Sequence, residues 1–180
     1  GVGFLYVREG APLEPFMNGG HQEGAMRGGT ENVAGIVAMA AAAREACENM
    51  ASDAVRIAAL RDELEQRILA EIADTCVNGT APRVPGTLNV SFAGIDSASL
   101  VELLDEGGVC AAGGSACSSH EGEPSHVLVA MGLPSERTQS ALRFSLSNET
   151  TQDDIDYTVG VLKACSEQLQ PFALLDLSSF

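Results

Sequence analysis

The chain has 180 residues, of which 45% are hydrophobic, and a formal net charge of −15 at pH 7. This length and hydrophobic fraction suit one globular domain, or one domain with an extension. The strongly acidic balance argues against nucleic acid and anionic membranes as partners of the general surface, because both require a positive field.

The sequence predicts a cytoplasmic location. Its apolar stretches are too short to cross a bilayer, and its N-terminus lacks the basic and apolar regions of a signal peptide. The five cysteines are an odd number at irregular spacings, which favours free thiols in a reducing compartment.

A strand, a long loop and a helix are predicted for the N-terminal part of the chain. Residues 2–7 are apolar and β-prone, which predicts a buried strand. Because this strand is under way at the first residue, with no methionine before it, we expect a piece of a longer polypeptide. Residues 8–30 are rich in glycine and exceed an ordinary connection, which favours a functional or packed loop. Thr30 is a good N-cap for a helix over residues 31–50.

Helices and strands alternate in the rest of the chain. Ser52 is predicted to cap a second helix, and Thr151 with Asp154 forms a start like a capping box for the last one. Other helices are predicted at residues 97–106 and 124–132. Strands are predicted at residues 87–92, 109–112 and 141–146. This order predicts an α/β or α+β fold with helices on one face of a small, mostly antiparallel sheet.

Residues 111–123 contain only small and polar side chains around Cys117. Such a loop favours a mobile backbone and an exposed thiol, which suits a nucleophile that moves between two sites. By composition alone, a surface loop with an incidental cysteine is the simpler interpretation, and His120 is either a base or merely solvated. The spacing of Cys110, Cys117, His120 and His126 matches no closed zinc pattern, so no permanent metal site is predicted.

Two other positions suit the binding of anions. Arg143 lies within an apolar strand, where a guanidinium needs either a substrate carboxylate or a protein carboxylate as its partner. Residues 27–30, Arg-Gly-Gly-Thr, precede a helix and offer backbone N–H groups and a hydroxyl to a phosphate. The alternative for Thr30 is a cap and nothing more.

In order and spacing, these stretches resemble the cysteine desulfurases of the NifS/IscS type, which are pyridoxal-phosphate enzymes related to class-V aminotransferases. The resemblance extends from Gly1 to about Pro171. The segments that carry it are Gly-Gly-His-Gln-Glu-Gly at 19–24, Arg-Gly-Gly-Thr-Glu-Asn at 27–32, Leu-Asn-Val-Ser-Phe at 88–92, Gly-Ser-Ala-Cys-Ser-Ser at 114–119 and Arg-Phe-Ser-Leu at 143–146.

The resemblance implies the C-terminal part of a homodimeric enzyme of fold type I. Such an enzyme converts L-cysteine to L-alanine and leaves a persulfide for an iron–sulfur scaffold or another acceptor protein. Residues 1–50 would end the large cofactor-binding domain. Residues 51–172 would form the small domain with the cysteine loop, followed by a tail at 173–180.

The resemblance also implies a role for each matching residue. Cys117 would be the nucleophile and persulfide carrier, and also a transient iron–sulfur ligand shared with a scaffold. Arg143 would hold the substrate carboxylate, and Thr30 would donate to the phosphate of pyridoxal phosphate in the other subunit. The role of Arg27 stays open between loop architecture and the substrate pocket.

One part of the family pattern is missing from the chain. The Schiff-base lysine and the aspartate on the pyridine nitrogen would lie before Gly1, and the only lysine is Lys163. The chain alone is therefore expected to be inactive. One alternative is a cofactor-free persulfide relay or interaction module, which explains the Cys117 loop but neither Arg143 nor Thr30. Another is a member of the same fold that resembles selenocysteine lyase.

Overall fold

The structure is a computed structural model that describes residues 1–80, 82–114 and 124–173. The chain divides into two compact units, Gly1–Ala51 and Ser52–Phe180. The assignment of residues 1–50 and 51–172 to the two domains of a larger enzyme stays a prediction.

The N-terminal segment of the first unit is not a strand. Residues 2–7 form no regular structure, and Phe4 and Tyr6 are 85% and 82% exposed. The predicted buried strand is therefore wrong for this chain. Residues 1–51 contain no strand with which this segment could pair, and a single strand leaves its backbone groups without partners in a sheet.

Helix α1 runs without interruption over Val33–Glu71, where two helices were predicted. The predicted cap at Thr30 is wrong, because Asn32 caps this helix through a bond from the Gly35 N–H to its Oδ1, at 3.0 Å. The predicted new start at Ser52 is wrong as well. The surrounding residues include no glycine or proline, so a single potential capping residue does not interrupt the helix.

The second unit contains a four-stranded sheet in the order β1-β2-β4-β3, with all three pairings antiparallel. Its strands are β1 (Thr75–Val77), β2 (Thr87–Phe92), β3 (Ala112–Gly113) and β4 (Ala141–Ser145). The predicted small antiparallel sheet is confirmed. Strand β1 was not predicted.

The strand predicted at residues 109–112 is shorter than expected. Gly107 and Gly108 end the preceding helix, and the Val109 N–H donates to the Leu104 carbonyl at 2.8 Å. This bond closes the end of the helix in the manner of a Schellman motif. The N–H of Val109 is therefore used by the helix rather than by the sheet.

The core lies between one face of the sheet and three helices. Helix α2 covers Ser97–Glu106, α3 His126–Ala130, α4 Ser135–Gln139 and α5 Gln152–Ala173. Alternate residues of β2 point to this core, which α1, α2 and α5 complete. The buried side chains include Leu88, Val90, Phe92, Leu64, Ile68, Leu100, Leu104, Ile155, Val159 and Leu162. In the described parts of the chain, no helix is long and apolar enough to span a membrane.

The predicted capping box at the start of α5 is confirmed. The Thr151 N–H donates to Asp154 Oδ2 at 2.8 Å, and the Asp154 N–H donates to Thr151 Oγ1 at 3.2 Å. The backbone bond and the hydroxyl bond from Thr151 lower the pKa of the Asp154 carboxyl below its usual value. The contribution of this carboxylate to stability is thus present above its ordinary pKa and is lost as the pH falls through the lowered value.

Two arginines of α1 fix the loops around β2 and β4. Arg61 is buried and donates to the Val84 carbonyl at 3.0 Å, in the loop before β2. Arg56 donates to the Thr150 carbonyl at 2.9 Å, in the loop after β4. These contacts hold the ends of the two central strands against the long helix.

Candidate functional site

Arg143 lies on the face of the sheet that is opposite to the core. Its neighbours Leu142 and Phe144 are 0% and 4% exposed, whereas Arg143 itself is exposed. The expectation of a guanidinium within an apolar environment is wrong, because side chains alternate between the two faces of a strand. Among the residues that the structure describes, Arg143 has no hydrogen-bond or ion-pair partner. Its donors can therefore meet an external carboxylate.

The segment that leads to Cys117 leaves the sheet directly beside Arg143. Ala112 of β3 pairs with Arg143, and the following Gly113 pairs with Leu142. The backbone then turns at Gly114, whose φ of +66° is in the left-handed region that favours glycine. Cys117 and His120 lie outside the described residues.

A polar cluster on the same face was missed from the sequence. Asn78 Nδ2 donates to Asn89 Oδ1 at 2.8 Å and to Ser91 Oγ at 2.7 Å. Arg137 of α4 donates to Asn78 Oδ1 at 2.6 Å. The polar residues Asn89 and Ser91 alternate with three apolar residues in β2, a pattern that indicates a polar second face. No sequence pattern connects Asn78 or Arg137 to that face.

The glycine-rich loop of the first unit has a steric reason for its composition. Gly28 is buried, and a Cβ on it would lie 2.9 Å from the Cα of Gly19. Gly29 has a φ of +105°. Both positions therefore require glycine whether or not the loop binds a ligand.

Thr30 and Arg27 line an open cleft of about 210 Å³ in this first unit. Glu23 and Glu31 line the same cleft. A hydroxyl and a guanidinium suit a phosphate, but two carboxylates oppose it. The cleft therefore fits a contribution to a phosphate site and does not constitute a complete one.

Lys163 belongs to the second unit, where it is exposed on α5 and lines a cleft of about 160 Å³ with Glu71 and Ser166. An exposed lysine in an open cleft lined by carboxylates is poorly placed to hold an anionic cofactor.

We therefore expect that pyridoxal phosphate added to the 180-residue chain gives no stoichiometric visible absorbance band that survives dialysis. Lys163→Ala serves as the matched variant. A band that persists after dialysis in the original chain and disappears in Lys163→Ala would show that this lysine does hold the cofactor.

The remaining cysteines differ in their exposure. Cys47 and Cys110 are exposed, Cys76 is partly buried and Cys165 is buried. Burial, and secondly the nearby Glu106 carboxylate, raises the pKa of the Cys165 thiol, which makes it a poor nucleophile at neutral pH. The described residues contain no group of three histidine, cysteine or acidic side chains that could hold a metal ion.

Comparison with known proteins identifies the family to which the chain belongs. The sequence profile of the family Aminotransferase class-V matches residues 1–158, and the chain belongs to this family. Within it, the chain is 43% identical over 171 residues to a cysteine desulfurase of Gluconacetobacter diazotrophicus, a match that covers 94% of the chain and 43% of the relative. It is 40% identical over 171 residues to the cysteine desulfurase NifS of Azotobacter vinelandii, covering 94% and 42%. The chain thus spans less than half of the length of these relatives.

Solved structures show the same fold. A NifS-like protein superposes with a TM-score of 0.77 at 32% identity, over 92% of this chain and 41% of the other. DndA from Streptomyces lividans superposes with a TM-score of 0.55 at 43% identity, over 74% and 37%. The mixed fold with a small antiparallel sheet is therefore that of the fold-type-I pyridoxal-phosphate enzymes.

Proposed function

We propose that this chain is the sulfur-accepting part of a pyridoxal-phosphate-dependent cysteine desulfurase. The observation that carries the proposal is the pairing of Ala112 with Arg143. It places the start of the segment with a candidate nucleophile beside an exposed guanidinium that has no partner in the described residues. A reaction on the amino acid cysteine requires both a group that binds a carboxylate and a thiol that accepts sulfur, and Arg143 and Cys117 would supply the two.

Arg143 would bind the α-carboxylate of L-cysteine. A guanidinium presents two parallel N–H donors that match the two oxygens of a carboxylate. The buried neighbours Leu142 and Phe144 fix the strand on either side, so the base of the Arg143 side chain is held in place. This contact would orient the substrate and leave its thiol group free to face the Cys117 segment.

Cys117 would take the sulfur. Pyridoxal phosphate, when bound, supplies an electron sink for the substrate's carbon skeleton. The Cys117 thiolate attacks the substrate sulfur, the new S–S bond forms, and the carbon–sulfur bond breaks with its electron pair on carbon. Protonation of that carbon yields alanine, so L-cysteine and one thiol give L-alanine and one persulfide. An acceptor protein for iron–sulfur cluster or thio-cofactor assembly would then receive the outer sulfur.

Thr30 would contribute a hydroxyl to the cofactor phosphate across a homodimer interface. Its place in a cleft with Arg27, together with the incomplete donor set of that cleft, supports a shared site. A cytoplasmic location for the enzyme is part of the same proposal.

A second candidate is a persulfide relay that needs no cofactor. It would account for the Cys117 segment but would leave Arg143 and Thr30 without a role. A preference for selenocysteine is a variant of the first proposal, and a comparison of the rates with the two amino acids decides it.

The two candidates differ in what the chain does alone. A completed enzyme can be made by joining this chain to the N-terminal half of the Gluconacetobacter diazotrophicus relative, which is expected to carry the cofactor lysine. We expect alanine release from L-cysteine by the completed enzyme and none by the 180-residue chain. If the completed enzyme binds the cofactor but releases no alanine, while the chain alone accepts sulfur from a small-molecule persulfide, the relay is correct instead.

A further inference from the structure

The polar cluster behind the sheet has a fixed direction of hydrogen bonding. Arg137 donates to Asn78 Oδ1 at 2.6 Å and to the Val77 carbonyl at 3.1 Å. A guanidinium has five donors and no acceptor, so the group of Asn78 that faces it must be the carbonyl oxygen. The amide nitrogen of Asn78 then has to point the other way.

The next bonds follow from that orientation. Asn78 Nδ2 donates to Ser91 Oγ at 2.7 Å, and the Ser91 hydroxyl donates in turn to the Arg137 carbonyl at 2.6 Å. The second proton of Asn78 Nδ2 goes to Asn89 Oδ1 at 2.8 Å. These bonds form one consistent set of donors and acceptors, although the buried Arg137 Nε has no partner among the described residues. A flipped Asn78 amide would turn its nitrogen toward the Arg137 Nη2 donor and its oxygen toward Asn89 Oδ1.

Asn89 is the last residue in this series of hydrogen bonds. Its oxygen accepts from Asn78, so its Nδ2 points away from the cluster. Nδ2 has no partner among the residues that the structure describes. Asn89 pairs with Arg143 across β2 and β4, which places the two side chains on the same face with Cβ atoms about 5 Å apart.

We propose that Asn89 is a second donor to the carboxylate bound by Arg143, and that Arg137 is a positioning residue that sets the orientation of the Asn89 amide through Asn78. The identity of the carboxylate as that of L-cysteine rests on the proposed function. The subsite itself rests on the pairing of Asn89 with Arg143 and on the direction of the hydrogen bonds.

Asn89→Asp in the completed enzyme is the sharpest variant. An aspartate keeps the size and still accepts from Asn78, but it presents an oxygen where the Nδ2 donors were. We expect the KM for L-cysteine to rise by about tenfold or more, with kcat within about twofold of the original. Asn148→Asp in the exposed loop after β4 makes the same change of charge and should leave both constants unchanged.

Variants of Arg137 test the positioning role. Arg137→Met removes the donors that orient Asn78, and we expect the KM to rise by about threefold to tenfold. Arg137→Lys keeps a donor and should restore most of the original KM. Equal effects of methionine and lysine, or a loss of kcat alone, would contradict a role through the Asn89 amide.

The outcomes separate this inference from the proposed function. If Arg143→Ala raises the KM but Asn89→Asp behaves like Asn148→Asp, Asn89 is not a donor and only this inference fails. If Arg143→Ala also leaves the KM unchanged, the carboxylate role of Arg143 fails with it.

A binding measurement on the original chain covers the case in which a variant does not fold. The ¹⁵N-labelled chain is titrated with sodium acetate as the carboxylate probe, with sodium chloride at equal ionic strength as the control. We expect the Asn89 side-chain amide and the Arg143 Nε signals to shift with one common dissociation constant. A shift of Arg143 without Asn89, or of neither, would overturn the subsite.

Discussion

Replacing Cys117 with serine in the completed enzyme is expected to abolish alanine release while leaving the visible absorbance change on adding L-cysteine intact. The loss should be on the order of 10³-fold or more, because serine keeps the size but lacks the easily ionised, polarisable sulfur. The substrate still reaches the cofactor, since binding does not use this thiol. Stopped-flow absorbance and a quantitative alanine assay measure the two steps separately.

Cys110→Ser is the matched control for this experiment. Cys110 is an exposed cysteine that precedes strand β3, while Cys117 follows it. The control should release alanine at the original rate. Alanine release at the original rate by Cys117→Ser, without added reductant, would place the nucleophile elsewhere.

Replacing Arg143 with alanine is expected to raise the KM for L-cysteine much more than it weakens the binding of pyridoxal phosphate. Because Arg143 is exposed, the figure for a hydrogen bond to a charged group applies, about 1.5–3 kcal/mol, which corresponds to roughly a 10- to 150-fold loss of affinity. Arg143→Lys should recover part of this loss because it keeps the charge but not the two parallel donors.

Arg67→Ala removes the same charge at a partly exposed site, where Arg67 pairs with Glu71 and Asp156. Exposed ion pairs contribute little, so the KM should not change. An unchanged KM in Arg143→Ala as well would mean that Arg143 serves a protein carboxylate rather than the substrate.

Local patterns predicted the elements that depend on local interactions. Strand β2 and helix α2 have the bounds that the sequence predicted, at Thr87–Phe92 and Ser97–Glu106. Strict alternation of apolar residues is the pattern of strand β2. A capping carboxylate, Asp96, stabilises the start of helix α2. The capping box of Thr151 and Asp154 was predicted for the same reason, since both partners lie within one turn.

Some elements were missed or wrongly predicted because the sequence pattern does not show which partners they find. Strand β1 has only three residues and is stabilised by pairing with residues 90–92 of β2. Residues 2–7 have the composition of a strand, but residues 1–51 contain no strand with which they could pair. The prediction from composition alone was therefore wrong. Ser52 is a residue type that can cap a helix, but its neighbours have high helix propensity, and helix α1 continues through this position.

In the candidate site as well, the sequence indicated single residues but not the contacts between residues that are distant in the chain. Cys117, Arg143 and Thr30 were chosen from the chemistry of single residues and from a family resemblance, and their roles stay predictions. The pairing of Ala112 with Arg143 and the bond between Arg137 and Asn78 connect residues far apart in sequence. Only the sheet register reveals that Asn89, which looked like an ordinary polar strand residue, lies next to Arg143.

The most direct test of the sulfur-accepting role is to locate the persulfide. The completed enzyme is incubated with L-cysteine, its thiols are alkylated, and its peptides are analysed by mass spectrometry. We expect one added sulfur on the peptide that contains Cys117, at a level that matches the alanine released in the first turnover, and none on the peptides with Cys47, Cys76 or Cys165. Sulfur on Cys110 instead, or alanine release with no sulfur on any of the five cysteines, would contradict the account.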